Sequence, residues 1–491
     1  MKITKGRKVI KMDVSYDQME DINVVCNVIN NGMNIHMENK VEIDYLLNYY
    51  KGNQPVLNKT KEIRSEINNK LVLNHAQMIT RKIVGYFLGN PIQYISSGMS
   101  DKKDLIDELN IYTQYENKPS VDKELGEYQS ICGTAYRIVY RDGDFTGRRN
   151  DTVPFEDRVL DPSTTFMVYE SNISGYPLLG TTYYDVYDDE SEFVGIRYYA
   201  YSDFGRYEFI SNGRNGVTPD DLVDFIPYNV GGIPIIEYPN NTWRIGDWEL
   251  VIGLMDSINE MNSGRLDDID QIIQSLIVFL NADIDEETYD EMRKQGVVML
   301  NSSESNRSDV KTIINQLDQN GMNLFAKELE ELLYSLVGVP SRSDGASGGD
   351  TGLAIELRDG WADLEIICKN KELIFRDSEK KALNILLHIF NIGRTEKLEK
   401  LDLDIKFSRN KNNNMLVKTQ SYQSLLSTKT LSPEDCLSIV DLVSDPNEYV
   451  ERGLAFWESQ EPEEVLENGL LDEVEKGDEV DSDSVDSPII K

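Results

Sequence analysis

One stretch constrains this chain more than any other. From Asp247 to about Leu276 there is no proline, and Val251, Leu254, Ile258, Met261, Ile269, Ile272 and Leu276 recur at helical spacing. At 100° per residue these side chains fall within about 40° of one direction. Asp256, Glu260, Asp267 and Asp270 gather around the opposite direction. A rod of this kind, about 43 Å long, needs a protein neighbour along its apolar face and presents carboxylates along the other, although a plain solvated face would read the same way. A second helix, Met322–Val337, returns with Leu324, Phe325, Leu329, Leu332, Leu333 and Leu336 as its apolar face. Between the two lie a strand at Leu276–Leu280, a short helix at Glu286–Lys294, and strands at Val297–Leu300 and Val310–Ile314, the last two joined by the polar loop Asn301–Asp309. Strand and helix material held between two helices predicts a small module at the end of a two-helix stalk.

The chain before the rod divides by hydrophobic period. Helices are predicted at Val41–Tyr50, from Asn74 to Gly89-Asn90-Pro91, from Ser100-Asp101 through Tyr112, and from Pro119 to about Gly133. From Thr134 to about Asn240 the period becomes two, with turn signals at Asp142-Gly143 and Asn212-Gly213, which predicts several short antiparallel strands. After the return helix, Gly338-Val339-Pro340 and the small polar run Ser341–Asp350 break the chain. A very long helix follows, Thr351 to about Ile392, with Gly360 a plausible kink point. A strand at Leu401–Phe407 and short helices over Met415–Trp457 complete the body. The fold class is α+β.

Composition bounds the partners. There are 86 acids against 50 Lys and Arg, a net charge of −36. A chain this acidic does not grip phosphate backbones over a broad surface or dock on an anionic membrane. Charge is uneven: Lys2, Lys5, Arg7, Lys8 and Lys11 come before any acid, and the tail from Glu458 to Lys491 is strongly acidic. Both ends read as solvated and mobile. Cys26, Cys132, Cys368 and Cys436 are widely spaced, which argues against a disulfide framework or zinc site and fits a reducing compartment. No secretory signal and no membrane-length apolar run occurs, so a soluble cytoplasmic protein is expected.

Signs of catalysis are missing. Gly345–Gly352 lacks the lysine of a P-loop and follows a helix, not a strand. His36, His75 and His388 are isolated, and Asp402 with Asp404 reads more simply as the wet face of a strand than as an ion site. No enzyme activity, metal or cofactor is expected.

The order of parts resembles the portal proteins of tailed bacteriophages. Tyr49–Pro55 (YYKGNQP) resembles an early Y-Y-x-G-x-Q motif, and Asn69–Pro91 is similar to an asparagine-led helix with a G-x-P-type end. Met255–Ser275 resembles the stem helix with its paired asparagines and aspartates. Leu336–Leu357 is similar to the G-V-P, flexible-loop run before the family's longest helix, with Thr351-Gly352-Leu353-Ala354 in place of the serine form. The likeness spans roughly residues 41–456, leaving out the first forty residues and the tail.

The resemblance implies a multi-module portal fold. Residues 1–40 would be an N-terminal arm, 41–246 and the long kinked helix 353–400 a mixed helical and antiparallel-β wing, and 247–276 with 321–338 a two-helix stem. Residues 277–320 would be a small α/β clip, 339–352 a tunnel loop, 401–456 a helical crown and 457–491 an acidic tail. It also implies a homo-oligomeric ring, twelve-fold, at one capsid vertex of the virion, assembled in the host cytoplasm. Double-stranded DNA would be its cargo, in packaging and ejection. Terminase large subunit, head–tail adaptor, scaffolding and major capsid proteins would be its partners, with no membrane. The DNA-facing loop would be Ser341, Arg342, Ser343, Asp344, Gly345, Ala346, Ser347, Gly348, Gly349 and Asp350. The channel stripe would be Asp256, Glu260, Asp267 and Asp270, and Val251, Leu254, Ile258, Met261, Ile269 and Ile272 would pack the stem. Without the resemblance, an acidic adaptor or scaffold and a metal-dependent nuclease or NTPase stay open.

Overall fold

The structure is a computed structural model, and the described residues are 6–97, 102–141, 143–144, 152–213, 216–273, 276–280, 287, 290, 309–313, 319–340, 361–409, 415–428, 430–440, 442–443 and 446–460. In chain order the elements begin β1 (Ile10–Met12), α1 (Ile22–Tyr50), α2 (His75–Phe87), β2 (Gln93–Ser96), α3 (Lys103–Tyr115), α4 (Lys118–Cys132) and β3 (Thr134–Arg141). Next come β4 (Phe155–Leu160), β5 (Thr165–Glu170), β6 (Pro177–Tyr187), β7 (Phe193–Tyr201), β8 (Gly205–Ser211), β9 (Leu222–Pro227) and β10 (Ile235–Pro239). Then follow α5 (Ile252–Ile273), β11 (Leu276–Leu280), β12 (Asp309–Ile313), α6 (Gln319–Val337), α7 (Trp361–Phe390) and β13 (Leu403–Lys406). Last are α8 (Met415–Ser427), α9 (Pro433–Val440) and α10 (Pro446–Gln460). The fold is mixed α/β, with mainly antiparallel sheets.

Two compact units divide at Asn412/Asn413. In the first, a six-stranded sheet runs β1-β5-β6-β7-β8-β9 and a three-stranded sheet runs β10-β3-β4. Strands β2 and β13 pair antiparallel, as do β11 and β12. Strands β5 to β9 are therefore a meander of sequential neighbours, while β10 returns to pair with β3 beside β4. Among the described strands only β1 joins in parallel, Ile10 opposite Val168.

Helix α1 spans two cores. Its first half buries Val25, Val28, Ile29 and Met33 on the six-stranded sheet, and its second half buries Ile43, Leu46 and Tyr49 among α2, α4, α5 and α7. Each such side chain, once fully buried, contributes about 1.5–3 kcal/mol. Asp21 caps its start by accepting from the Asn23 amide at 2.9 Å. Helix α4 stops at Gly133, whose φ of +76° and 2.1 Å gap between an added Cβ and the Arg244 carbonyl leave room for glycine alone. β3 starts at the next residue.

A buried ionic cluster locks the centre. Arg137 on β3 donates to Asp157 (2.7 Å) and Glu379 (2.8 Å), while Lys118 pairs with Asp122 (2.7 Å) and Glu379 (2.9 Å). Tyr94 and Tyr238 each donate to Glu379, at 2.7 and 2.8 Å. Burial alone would raise the Glu379 pKa, but Lys118 and Arg137 outweigh it and hold the carboxylate ionised. One helix, α7, is thereby tied to α4, β2, β3 and β10. The four cysteines are buried free thiols.

Several expectations need correction. Residues 6–40 do not form a free arm: β1 is a sheet strand, and the expected boundary at 40/41 falls inside α1. Arg7 is 4% exposed, and donates to Glu249 (2.5 Å) and the Cys132 carbonyl (2.9 Å). Its charge found a buried carboxylate 242 residues away, which no local pattern reveals. Strand β13 pairs with β2 in the first unit, so residues 401–409 are separate from the helices that follow. In the second unit α9 packs on both α8 and α10 and buries Cys436 and Leu437. Ser341–Asp350, Thr351–Gly360, the Glu286–Lys294 helix apart from residues 287 and 290, the Val297–Leu300 strand and the tail from 461 onward lie outside the described residues.

Candidate functional site on the long helix and its dock

The rod Ile252–Ile273 buries a different face from the one its apolar spacing predicts. Val251 and Ile258 are buried, and Leu254 packs against the main core. Met261 is half-buried, Ile269 is 36% exposed, and the side chain of Ile272 is outside the described residues. The buried line is Ile252, Met255, Ile258, Asn259, Ser263 and Asp267, turned about a third of a turn from the expected one. It is apolar at its start and polar further along.

The polar half grips an extended segment. The Leu73 amide donates to Asn259 Oδ1 at 2.8 Å, the Leu71 amide to Ser263 Oγ at 2.9 Å, and the Asn69 amide to Asp267 Oδ1 at 2.6 Å. Alternate amides of an extended chain point one way, about 6.7 Å apart. Side chains at i, i+4 and i+8 of a helix stand about 6 Å apart along one face. The two repeats match, so three side chains satisfy three amides that have no ladder partner.

Asp267 is the strongest point of this ladder. Its side chain is 1% exposed and lies 2.7 Å from both Lys59 and Lys61. Burial alone would raise its pKa, but the hydrogen bonds from Lys59, Lys61 and Asn69 prevail and hold it well below the usual carboxylate range. Asp270 accepts from Asn69 Nδ2 at 2.7 Å, and Asp256 from the Tyr49 hydroxyl at 2.9 Å. Burial first and the Asp256 charge second push the Tyr49 phenol far above its ordinary value. Among the four acids of the expected stripe, only Glu260 is exposed. The stripe as a uniform solvent-facing line is therefore incorrect: three of its members bond to other parts of the same chain.

The quoted motifs converge here. Gln54 accepts from Asn259 Nδ2 at 2.5 Å and donates to Asn74 Oδ1 at 3.3 Å, and Asn74 caps α2 through the Gln77 amide. Trp248, fully buried, stacks on Tyr49 with ring centroids 5.5 Å apart and donates to Thr80 Oγ1 at 3.1 Å. The sequence reading missed Lys59, Lys61 and Ser263. Only the composition of the polar stretch 58–70 hinted at the two lysines.

The chain matches the family "Phage portal protein, SPP1 Gp6-like" over residues 32–463. It belongs to the phage portal protein family. A portal protein of Bacillus phage SPP1 is 22% identical over 469 residues, covering 91% of this chain and 86% of that one. A solved chain from the virion of a native gene transfer agent particle aligns at 11% identity with a TM-score of 0.42, covering 82% of this chain and 94% of its own. The general role of the family is a conduit for DNA, and its members are structural components of the virion. This is a portal protein built around a helix whose polar face is spent on its own chain.

The remaining candidate residues fit structural roles. His36 is buried against Phe166 with Nε2 3.1 Å from the Ser163 carbonyl, and burial pushes its pKa down to about 4. His75 Nδ1 meets the Tyr334 hydroxyl at 3.0 Å, and His388 is exposed. Asp402 pairs with Lys102 at 2.9 Å. Among the described residues no cluster of His, Cys, Asp or Glu could hold a metal ion, and no helix is long and apolar enough to cross a membrane.

Proposed function

We propose that this portal protein closes into a twelve-membered ring at one capsid vertex, with α5 and α6 as its stem and the segment between them as its clip. In this reading residues 41–246 and 353–400 form the wing, and 401–456 contribute the crown, its helices starting after Asn412. One observation carries the ring. Helix α6 buries Leu333, Tyr334 and Val337 within its own subunit, yet Leu324, Phe325, Leu332 and Leu336 are 72, 53, 47 and 63% exposed. These four centre roughly 145° around the helix from the buried line. A second apolar face of this kind is covered by a neighbour, and one repeated head-to-tail closes a ring.

The small polar loop Ser341–Asp350, with Arg342 its one cation, would touch DNA in the channel, and Glu260 would repel it. Scaffolding and major capsid proteins would bind during assembly in the host cytoplasm, terminase large subunit during packaging, and a head–tail adaptor afterwards. Light scattering tests the ring. Twelve copies of a 56.1 kDa chain amount to about 0.7 MDa. Leu332→Glu with Leu336→Glu should shift that mass toward the monomer while the circular dichroism spectrum is kept. A wild-type protein that stays at 56 kDa under assembly conditions would remove the proposal.

A further inference from the structure

A groove of about 430 Å³ opens on the first unit, and none of its lining residues belongs to α5 or its dock. Its floor is aliphatic, made by Ile233, Ile235 and Ile385. One wall is the Gly231-Gly232 turn, with φ of +79° and +152°, so bare backbone faces the opening there. Asn384 Nδ2 donates to the Gly231 carbonyl at 2.6 Å and fixes that wall to α7. The rim carries Lys380 and Lys381 from α7, with Lys400 also lining the groove.

The charge balance of this groove runs against that of the molecule. Glu237 in the lining is compensated by Arg244 at 2.6 and 2.8 Å, and Asp377 by Lys381 at 2.7 Å. Among the described residues neither Lys380 nor Lys400 has a carboxylate partner. Two uncompensated cations therefore stand over an apolar floor in a chain of net charge −36. We infer that this groove is the docking site for an acidic segment of a partner protein that carries an aliphatic anchor. The anchor fills the floor, carboxylates meet Lys380 and Lys400, and the extended backbone runs past the two glycines. A nucleic acid is the poorer occupant, because a phosphodiester laid on the isoleucine floor would lose water without gaining hydrogen bonds. The inference does not depend on ring formation.

Fluorescence anisotropy on the full chain tests it, with a short labelled peptide of glutamates around one central leucine as the probe. Saturable binding is expected, weakened about tenfold or more by Lys380→Glu with Lys400→Glu, and about tenfold by replacing the peptide's leucine with serine. Both lysines are exposed, so the variant should fold, and an unchanged melting curve checks this. Three results would overturn the inference: no binding to wild type, equal binding by the charge-reversed variant, or a labelled DNA duplex displacing the peptide.

Discussion

A carboxylate held by two lysines and a backbone amide is worth more than its exposed equivalents. Asp267 differs in this from Glu260, seven residues earlier on the same helix, because its side chain is 1% exposed and its partners come from a distant segment. Lys59 and Lys61 keep some access to water, but the part-buried Asn69 amide would lose its charged acceptor, so Asp267→Asn should destabilise the protein by about 1–3 kcal/mol. Glu260→Gln should change stability by less than about 0.5 kcal/mol. The pH dependence has a definite sign. The folded pKa of Asp267 lies below the unfolded value of about 3.9, so its contribution is complete above that value and fades as pH falls through the folded one. Thermal melts of wild type and Asp267→Asn should differ by a constant amount from pH 5 to 8 and converge in acid. A gap that widened on acidification would contradict the assigned contacts.

At the scale of the element, α5 shows what periodicity can and cannot deliver. Its existence and approximate ends were legible, because no proline interrupts the helical repeat between Asp247 and Leu276. Its orientation was not. Asn259, Ser263 and Asp267 read as the wet side of an amphipathic helix, since nothing local announces that amides of residues 69–73 will dock there, 186 to 198 residues away. The family resemblance had already singled out Gln54, Asn69 and Asn74 within its motifs, and the structure gives those asparagines a physical reason. Each arm of the ladder should open separately. Ser263→Ala should speed hydrogen exchange at the Leu71 amide, while Asn259→Ala should do so at Leu73 and lower stability by about 1–3 kcal/mol. Uniform loss of protection across 69–73 in both variants would mean that the segment opens as one unit.

At the scale of the whole molecule, the alternation of helical and period-two segments made the mixed fold legible, and short connections made the meander legible. Long-range pairing stayed hidden. The basic cluster before Asp13 looked like a mobile cationic arm, yet Arg7 is buried on Glu249 and Lys8 pairs with Glu38. That change bears on how a conduit treats DNA. With Asp256, Asp267 and Asp270 engaged inside the subunit, repulsion of phosphate cannot rest on a stripe along α5. In this reading it would rest instead on the overall balance of 86 acids against 50 Lys and Arg, with Arg7 and Lys8 of the basic cluster already paired within the subunit. Non-specific duplex binding requires cations that displace counterions, and affinity then falls steeply with salt. The full chain should therefore leave a linear duplex unretarded in a gel at about 100 mM salt, even at micromolar protein. Retention that falls steeply as salt is raised would reveal a phosphate-gripping surface. It would replace sliding by repulsion with sliding along bound phosphates as the way this portal protein passes DNA.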